Sequence, residues 1–132
     1  MKPIRFIIVD DDNLDVKLCK LYIKHTLPDV EVVCFTMAEK ALTYLEIAFI
    51  SESPVDSILL LDINMPGMSG WEFLEKYDAL DVKIKDHISI YILSSSLDER
   101  DQVKAASNKY LVGYHIKPIS AVLINKLFNE NI

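Results

Sequence analysis

Five short apolar runs, separated by stretches with helical periodicity, dominate this sequence. Several of the runs are continuously hydrophobic rather than alternating, which is typical of parallel strands covered on both faces. The predicted strands are residues 4–10, 30–35, 56–62, 88–94 and 111–116. A strand followed by a helix, repeated five times, predicts an α/β fold: one doubly wound domain with a five-stranded parallel sheet.

Five amphipathic stretches follow the strands and predict five helices. They are residues 13–26, 37–50, 70–80, 98–109 and 119–130. The apolar stripes of the first two are Leu14, Leu18, Leu21 and Tyr22, and Ala38, Ala41, Leu42, Leu45, Ala48 and Phe49. Thr36 with Glu39, and Ser69 with Glu72, have the spacing of capping boxes at the starts of the second and third helices. The stretches 51–55 and 81–87 are expected to be surface connections.

Composition limits the classes of function that this chain can have. At 132 residues, with 51% apolar and 26% charged residues, it matches a single globular domain. A net charge of −6 argues against nonspecific nucleic-acid binding, and no run is long enough to span a membrane. Met1-Lys2-Pro3 leads directly into a strand without a signal peptide, so we expect a cytoplasmic protein with reduced thiols at Cys19 and Cys34. The last predicted helix ends near the C-terminus, so we expect one domain over residues 1–132 and no effector domain.

Four of the apolar runs end in polar residues suited to phosphoryl chemistry. They end at Asp10-Asp11-Asp12, Asp62, Ser94 and Lys117-Pro118. Ligands bind at the carboxyl ends of the strands in open α/β sheets, so these side chains are expected to share one cleft. Two carboxylates about 4 Å apart repel by roughly 4 kcal/mol at an effective dielectric near 20, and a divalent cation removes that repulsion. Oxygen ligands without His or Cys favour Mg²⁺ over Zn²⁺.

Each of these residues also has an ordinary structural interpretation. An acidic triplet is often a solvated loop or a helix cap, a lone Lys117 is often a surface cation, and a serine cluster at Ser94 is often only a loop. Asp62 is harder to explain in this way, because a carboxylate at the end of a buried strand is costly unless it is paired or bound to a cation.

Taken together and in order, these motifs resemble the receiver domains of two-component response regulators. The matching residues are Val9-Asp10-Asp11, Leu61-Asp62-Ile63-Asn64-Met65-Pro66-Gly67-Met68-Ser69-Gly70, Leu93-Ser94-Ser95 and Lys117-Pro118. The resemblance covers about residues 4–128. Among receivers, the chain is similar to the stand-alone, chemotaxis type. The resemblance implies a flavodoxin-like fold with strand order 2-1-3-4-5.

The resemblance also implies a metal site. Asp11, Asp62 and the Asn64 carbonyl would ligate Mg²⁺, and Asp10 would support the ion through water. Asp12 occupies a variable position and is given no catalytic role.

For phosphoryl transfer, the resemblance implies that Asp62 accepts the group from a phosphohistidine of a sensor histidine kinase or phosphotransfer protein. Ser94 would bind the phosphoryl group, Lys117 would pair with it, and Tyr114 matches the position of the switch aromatic. Water would then remove the group, with Asn64 and Ser96 flanking its path. Such a protein catalyses only its own phosphorylation and dephosphorylation and is not an enzyme with a separate substrate.

Output would pass through the face made by helix 98–109, strand 111–116 and helix 119–130. The last helix has more apolar residues than one core stripe needs, which predicts a protein partner or a homodimer contact there. Trp71 is expected to lie partly exposed near the mouth of the cleft. The sequence does not identify the downstream partner and predicts neither a nucleic-acid nor a membrane partner.

Two other functions remain open at this stage. A phosphatase of the haloacid dehalogenase type also places Asp after an apolar strand, but it normally has a second Asp two residues later, where this chain has Asn64. A degenerate receiver would dock to partners without phosphoryl chemistry, which the complete set of Asp11, Asp62, Ser94 and Lys117 argues against.

Overall fold

Each of the five strands is followed by a helix, and a second, shorter helix follows the one after the third strand. The computed structural model describes residues 4–51 and 55–132, without the side chains of residues 49–51, so the predicted core position Phe49 and most of the connection 51–55 lie outside the described part. The elements are β1 (Ile4–Val9), α1 (Asn13–Thr26), β2 (Glu31–Phe35), α2 (Ala38–Ser51), β3 (Asp56–Leu61), α3 (Gly70–Asp78), α4 (Val82–Lys85), β4 (Ile88–Ser94), α5 (Glu99–Ala106), β5 (Leu111–Ile116) and α6 (Ala121–Glu130).

The five strands form one parallel sheet in the order β2-β1-β3-β4-β5. The predicted α/β class, parallel sheet and 2-1-3-4-5 order are therefore confirmed. The chain reverses direction along the sheet between β1 and β3, because β2 lies on one side of β1 and the later strands lie on the other. A reversal of this kind opens a crevice at the carboxyl ends of β1 and β3.

Two hydrophobic clusters cover the two faces of the sheet, because successive strand residues point to opposite faces. On one face, Val9 and Leu61 pack with residues of α2 and α3 such as Leu45 and Phe73. On the other face, strand residues including Phe6, Ile8 and Leu60 pack with α1 and α6. Each fully buried large apolar side chain contributes about 1.5–3 kcal/mol, so the central strands are held firmly from both sides.

The predicted buried face of α1 is wrong. Val16, Cys19 and Ile23 face the core, whereas Leu14, Leu18, Leu21 and Tyr22 are exposed, Leu14 to 65% and Leu21 to 62%. The helix carries two apolar stripes, and periodicity alone cannot decide which of them meets the sheet. The smaller or β-branched stripe lies against the sheet in the structure.

The connection 81–87 contains a sixth helix, α4, which the sequence analysis did not predict. Its N-cap is Asp81, whose carboxylate accepts the Lys83 N–H, and its single turn buries Ile84. A four-residue helix is too short to show periodicity, so the pattern gave no indication of it. The predicted five helices are otherwise present.

One predicted cap is confirmed and one is displaced. The Ser69 hydroxyl accepts the Glu72 N–H at 3.2 Å at the start of α3. Helix α2 begins at Ala38, one residue later than predicted, and its first backbone bond runs from the Ala41 N–H to the Met37 carbonyl. Met37 therefore occupies the N-cap position and Thr36 precedes it.

No helix within residues 4–51 and 55–132 is long and apolar enough to cross a membrane.

Candidate functional site

Backbone hydrogen bonds continue the sheet one residue beyond the ends of three strands. The bonds run from the Asp10 N–H to the Phe35 carbonyl (3.0 Å), from the Asp62 N–H to the Val9 carbonyl (2.9 Å) and from the Lys117 N–H to the Ser94 carbonyl (2.9 Å). Because these main-chain positions are fixed by the sheet, the side chains of Asp10, Asp62 and Lys117 are held at one edge. The predicted convergence at the carboxyl ends of the strands follows from this register.

Three carboxylates meet at the crevice between β1 and β3. One oxygen from each of Asp10, Asp11 and Asp62 lies within 4.8 Å of the others. Asp10 and Asp62 are buried, at 5% and 7% exposure. The Asp12 N–H donates to Asp10 Oδ1 at 3.0 Å, and the Asn64 N–H donates to Asp62 Oδ1 at 3.3 Å.

The loop after Asp62 is shaped by two glycines. A Cβ at Gly70 would stand 2.6 Å from the Asp62 carbonyl oxygen and 2.7 Å from the Ile63 Cα, so the start of α3 lies directly against the site strand. Gly67 has a φ of +79°, in the left-handed region that glycine adopts without strain. The two glycines let the chain turn from β3 into α3 while Asp62 stays at the sheet edge.

Lys117 contacts three carboxylates. Its Nζ donates to Asp10 Oδ2 at 2.7 Å and to Asp15 Oδ2 at 2.8 Å, and it lies 3.6 Å from Asp62 Oδ2. Burial on its own lowers the pKa of Lys117, but the hydrogen bonds to Asp10 and Asp15 outweigh it and raise the pKa above its usual value. The ammonium is therefore charged at neutral pH and is the cation of this site.

Asp62 has an unusually high pKa for an aspartate. Its pKa is raised from 3.8 to about 6, mainly by burial; the neighbouring Asp10 carboxylate acts in the same direction, while the Lys117 ammonium and the Asn64 N–H oppose the rise. The carboxylate lies too far from Lys117 for a hydrogen bond, so its charge is less well compensated than that of Asp10. A poorly compensated carboxylate in a cleft is a candidate functional group.

The donor set of this cluster fits a hard divalent cation. The three grouped residues are all aspartates, so the cluster offers carboxylate oxygens and contains neither His nor Cys. The main-chain turn after Asp62 lies beside them. Mg²⁺ favours oxygen ligands and is commonly held by one or two carboxylates.

Ser94 and Tyr114 are linked through the loop that follows β4. Ser94 is fully buried, and its hydroxyl accepts the Ser96 N–H at 3.1 Å. The Tyr114 hydroxyl donates to the Ser96 carbonyl at 2.9 Å, while the Ser96 hydroxyl donates to Asp101 on α5 at 2.7 Å. The Ser96 side chain is thus engaged with α5, and the loop joins the end of β4 to both α5 and β5.

Asp15 is the site residue that the sequence analysis missed. It lies in the first turn of α1, where an acidic residue is common because it interacts favourably with the helix dipole. Its position in the sequence therefore gave no indication of a partner 102 residues away. Asp12 is the N-cap of α1, and its carboxylate accepts the N–H groups of Leu14 and Asp15.

The predicted output face is partly exposed. Exposed apolar side chains occur on each of its elements: Val103 (69%) on α5, Val112 (59%) and Ile116 (39%) on β5, and Val122 (80%) on α6. Most of the surplus apolar residues of α6 pack inward, since Ile124 and Leu127 are buried and Leu123 and Phe128 are partly buried against the same cluster.

Trp71 lies at the start of α3, where its ring is partly buried and Lys104 Nζ of α5 is 4.7 Å from the ring centroid.

Comparison with known proteins gives one family. The family model described as the response regulator receiver domain matches residues 6–129. No curated protein matches the chain. A two-component response regulator from Cytophaga hutchinsonii is 31% identical, with a TM-score of 0.88 over 98% of this chain and 97% of that one. A response regulator receiver protein from Dyadobacter fermentans DSM 18053 is 28% identical, with a TM-score of 0.84 over 96% of each chain. The bacteriophytochrome response regulator AtBRR shares the fold, with a TM-score of 0.78 over 99% of this chain and 94% of that one, at 22% identity.

Proposed function

This chain belongs to the response regulator receiver domain family of two-component signalling, and on that premise we propose that it is a phosphoryl-accepting switch with Asp62 as the acceptor. The observation that carries the proposal is the convergence of the Asp10, Asp11 and Asp62 carboxylates with the Lys117 ammonium at one edge of the sheet. A buried carboxylate with an incompletely compensated charge is available to attack phosphorus, while the surrounding charges can neutralise the group that arrives.

The proposed reaction transfers a phosphoryl group from a phosphohistidine to Asp62. A carboxylate oxygen forms a bond to phosphorus as the N–P bond breaks, and the imidazole nitrogen keeps the electron pair and takes up a proton. Asp11, Asp62 and the Asn64 carbonyl, with Asp10 through water, would hold Mg²⁺, which supplies positive charge to the phosphoryl oxygens. Lys117 supplies the remaining positive charge, since catalysis of phosphoryl transfer consists mainly of positioning and charge stabilisation.

Reversal of the switch is hydrolysis of the acyl phosphate. Water attacks phosphorus, the bond between phosphorus and the Asp62 oxygen breaks, and inorganic phosphate leaves. The chain therefore carries at most one phosphoryl group at a time and catalyses only its own phosphorylation and dephosphorylation.

The signal would leave the site through Ser94 and Tyr114. Ser94 is buried at the end of β4 and its hydroxyl oxygen accepts the Ser96 N–H, so a shift of this hydroxyl towards a phosphoryl oxygen would pull on the loop that contains Ser96. Because Tyr114 and α5 are both bonded to Ser96, that movement biases the face formed by α5, β5 and α6. A protein partner or a second copy of the chain would read this face through exposed side chains such as Val112 and Val122.

The proposed phosphoryl donor is a histidine kinase or a phosphotransfer protein. The exposed stripe of α1, which includes Leu14, Leu18 and Leu21, supports a protein donor because it lies on the helix that also carries Asp15 into the site. Lys17, Lys20 and Lys24 are on the same helix, so its surface is basic in an otherwise acidic chain. Such a surface favours an apolar and acidic helical partner.

The two alternative functions make different predictions for the same experiment. The chain is incubated with Mg²⁺ and a small acyl phosphate, and phosphoryl content is followed by intact mass. The proposal predicts one added phosphoryl group that is lost on removal of the donor, and no uptake by Asp62→Asn. Many turnovers of inorganic phosphate per chain without accumulation of the phosphorylated chain would indicate a phosphatase, and absence of uptake by the unchanged chain would indicate a docking module. Asp12→Asn is the matched control, because Asn is an equally good N-cap and Asp12 has no predicted role in the chemistry.

A further inference from the structure

Lys117 is bound more closely to helix α1 than to the proposed acceptor. Its Nζ is 2.8 Å from Asp15 Oδ2 and 2.7 Å from Asp10 Oδ2, but 3.6 Å from Asp62 Oδ2. An ammonium has three N–H donors, and two of them are used on Asp10 and Asp15. The contact with Asp62 is an ion pair without a hydrogen bond at this distance.

The two carboxylates that hold Lys117 differ in their access to water. The Asp10 side chain is 7% exposed, whereas the Asp15 side chain is 40% exposed. If Lys117 leaves Asp10, a buried charge loses its partner, which is costly. If it leaves Asp15, water solvates the freed carboxylate. The bond to Asp15 is therefore the one that can break during a functional cycle.

Lys117 also has room to move. One cavity of about 130 Å³ is lined by all four charged residues, Asp10, Asp15, Asp62 and Lys117. Apolar side chains such as Leu18 and Ile119 form much of the rest of its wall. Because Asp15, Asp62 and Lys117 line the same cavity, a shift of the ammonium from Asp15 towards Asp62 takes place at the wall of this space.

We propose that Asp15 is a positioning residue that tethers Lys117 to α1 in the resting chain and thereby slows phosphoryl uptake at Asp62. The inference rests on the proposed function and adds a regulator to its site. A phosphoryl group brings a charge of about −1.5 to −2 and oxygen acceptors that compete with Asp15 for the same ammonium. Uptake then includes transfer of a Lys117 hydrogen bond from Asp15 to the phosphoryl oxygens, and the strength of the tether sets part of the barrier.

The test compares Asp15→Asn, Asp15→Glu and the control Asp12→Asn in the full chain. Uptake from a small acyl phosphate is measured against donor concentration in Mg²⁺, and the affinity for beryllium fluoride, which mimics a bound phosphoryl group, is measured by titration. Asp15→Asn should raise the maximal uptake rate and the beryllium fluoride affinity about two-fold to five-fold, the size expected from loss of a partly exposed ion pair. Asp15→Glu should return both values towards those of the unchanged chain.

The control separates a specific tether from a general effect of charge. Asp12→Asn removes the same negative charge one helical turn away but leaves the N-cap intact and does not contact Lys117. A general effect would lower the donor concentration needed for half-maximal uptake equally in Asp12→Asn and Asp15→Asn, without raising the maximal rate, and would overturn the inference. Unchanged or slower uptake by Asp15→Asn would also overturn it while leaving the proposed function intact. Absence of uptake by the unchanged chain would overturn the proposed function and this inference together.

Discussion

The ionised carboxylate of Asp62 destabilises the resting chain, and its removal should stabilise it. The pKa of Asp62 rises from 3.8 to about 6 on folding, mainly because the group is buried. Since each tenfold change in an ionisation equilibrium is worth about 1.4 kcal/mol, this rise corresponds to about 3 kcal/mol of destabilisation at pH 7. Asp62→Asn removes the charge and keeps the size of the side chain and an oxygen that can accept the Asn64 N–H.

The expected result is a gain of up to about 3 kcal/mol in the unfolding free energy at pH 7, or about 10 °C in Tm for a domain of this size. The gain should depend on pH in a defined direction. A carboxyl whose pKa is raised by folding stabilises the fold in its protonated form, so the unchanged chain loses this stability as the pH rises through 6. The advantage of Asp62→Asn should therefore be complete above pH 6, fall below it and vanish near pH 4.

Chemical denaturation with a chelator present, at several pH values, measures this directly. Asp10→Asn is the matched comparison, because it makes the same chemical change in a neighbouring buried residue that Lys117 contacts at 2.7 Å. It should lower the unfolding free energy by about 1–3 kcal/mol, since a hydrogen bond to a charged group is lost. The reasoning would be refuted if Asp62→Asn were no more stable than the unchanged chain at pH 7, or if its advantage persisted at pH 4.

Further predictions concern the metal, the turn and the switch. Mg²⁺ at ten times its Kd should raise the unfolding free energy by about 1.4 kcal/mol in a calorimetric scan, and Asp11→Asn should remove most of this gain. A Tm that does not change when Mg²⁺ is added would exclude the metal site. Gly70→Ala should lower the unfolding free energy by at least about 2 kcal/mol, because the added Cβ meets backbone atoms at 2.6–2.7 Å. Gly67→Ala should lower it by only about 1 kcal/mol, because its Cβ meets open space and the cost comes from the positive φ. Equal losses in chemical denaturation would contradict the close approach at Gly70. Tyr114→Phe should cost about 1 kcal/mol in the same assay by removing the bond to the Ser96 carbonyl, and an unchanged stability would show that this bond contributes nothing.

The sheet and most of the site could be predicted because their determinants are local in the sequence. Each buried strand is visible in the sequence as an apolar run. Parallel pairing of the strands brings the residues that follow these runs to the same edge of the sheet. Asp62 follows β3 and Lys117 follows β5, so their convergence depends only on strand order.

Features that depend on the choice between similar surfaces could not be predicted. Helix α1 has two apolar stripes, one containing Leu18 and one containing Cys19, and either could face the core. In the folded chain the stripe with Cys19 packs against the sheet. The Asp15–Lys117 bond joins residues 102 positions apart, and an acidic residue in the first turn of a helix is explained equally well without it. The single turn of α4 has four residues, which is too short for an apolar pattern to repeat.

The most direct test of the account is to locate the phosphoryl group. The chain is loaded with a small acyl phosphate in Mg²⁺, the acyl phosphate is reduced with borohydride, and the modified residue is identified by peptide mass spectrometry. The account predicts modification of Asp62 alone, at no more than one group per chain, and none in Asp62→Asn. Modification of Asp10 or Asp11 instead, or equal labelling of Asp62→Asn, would contradict it.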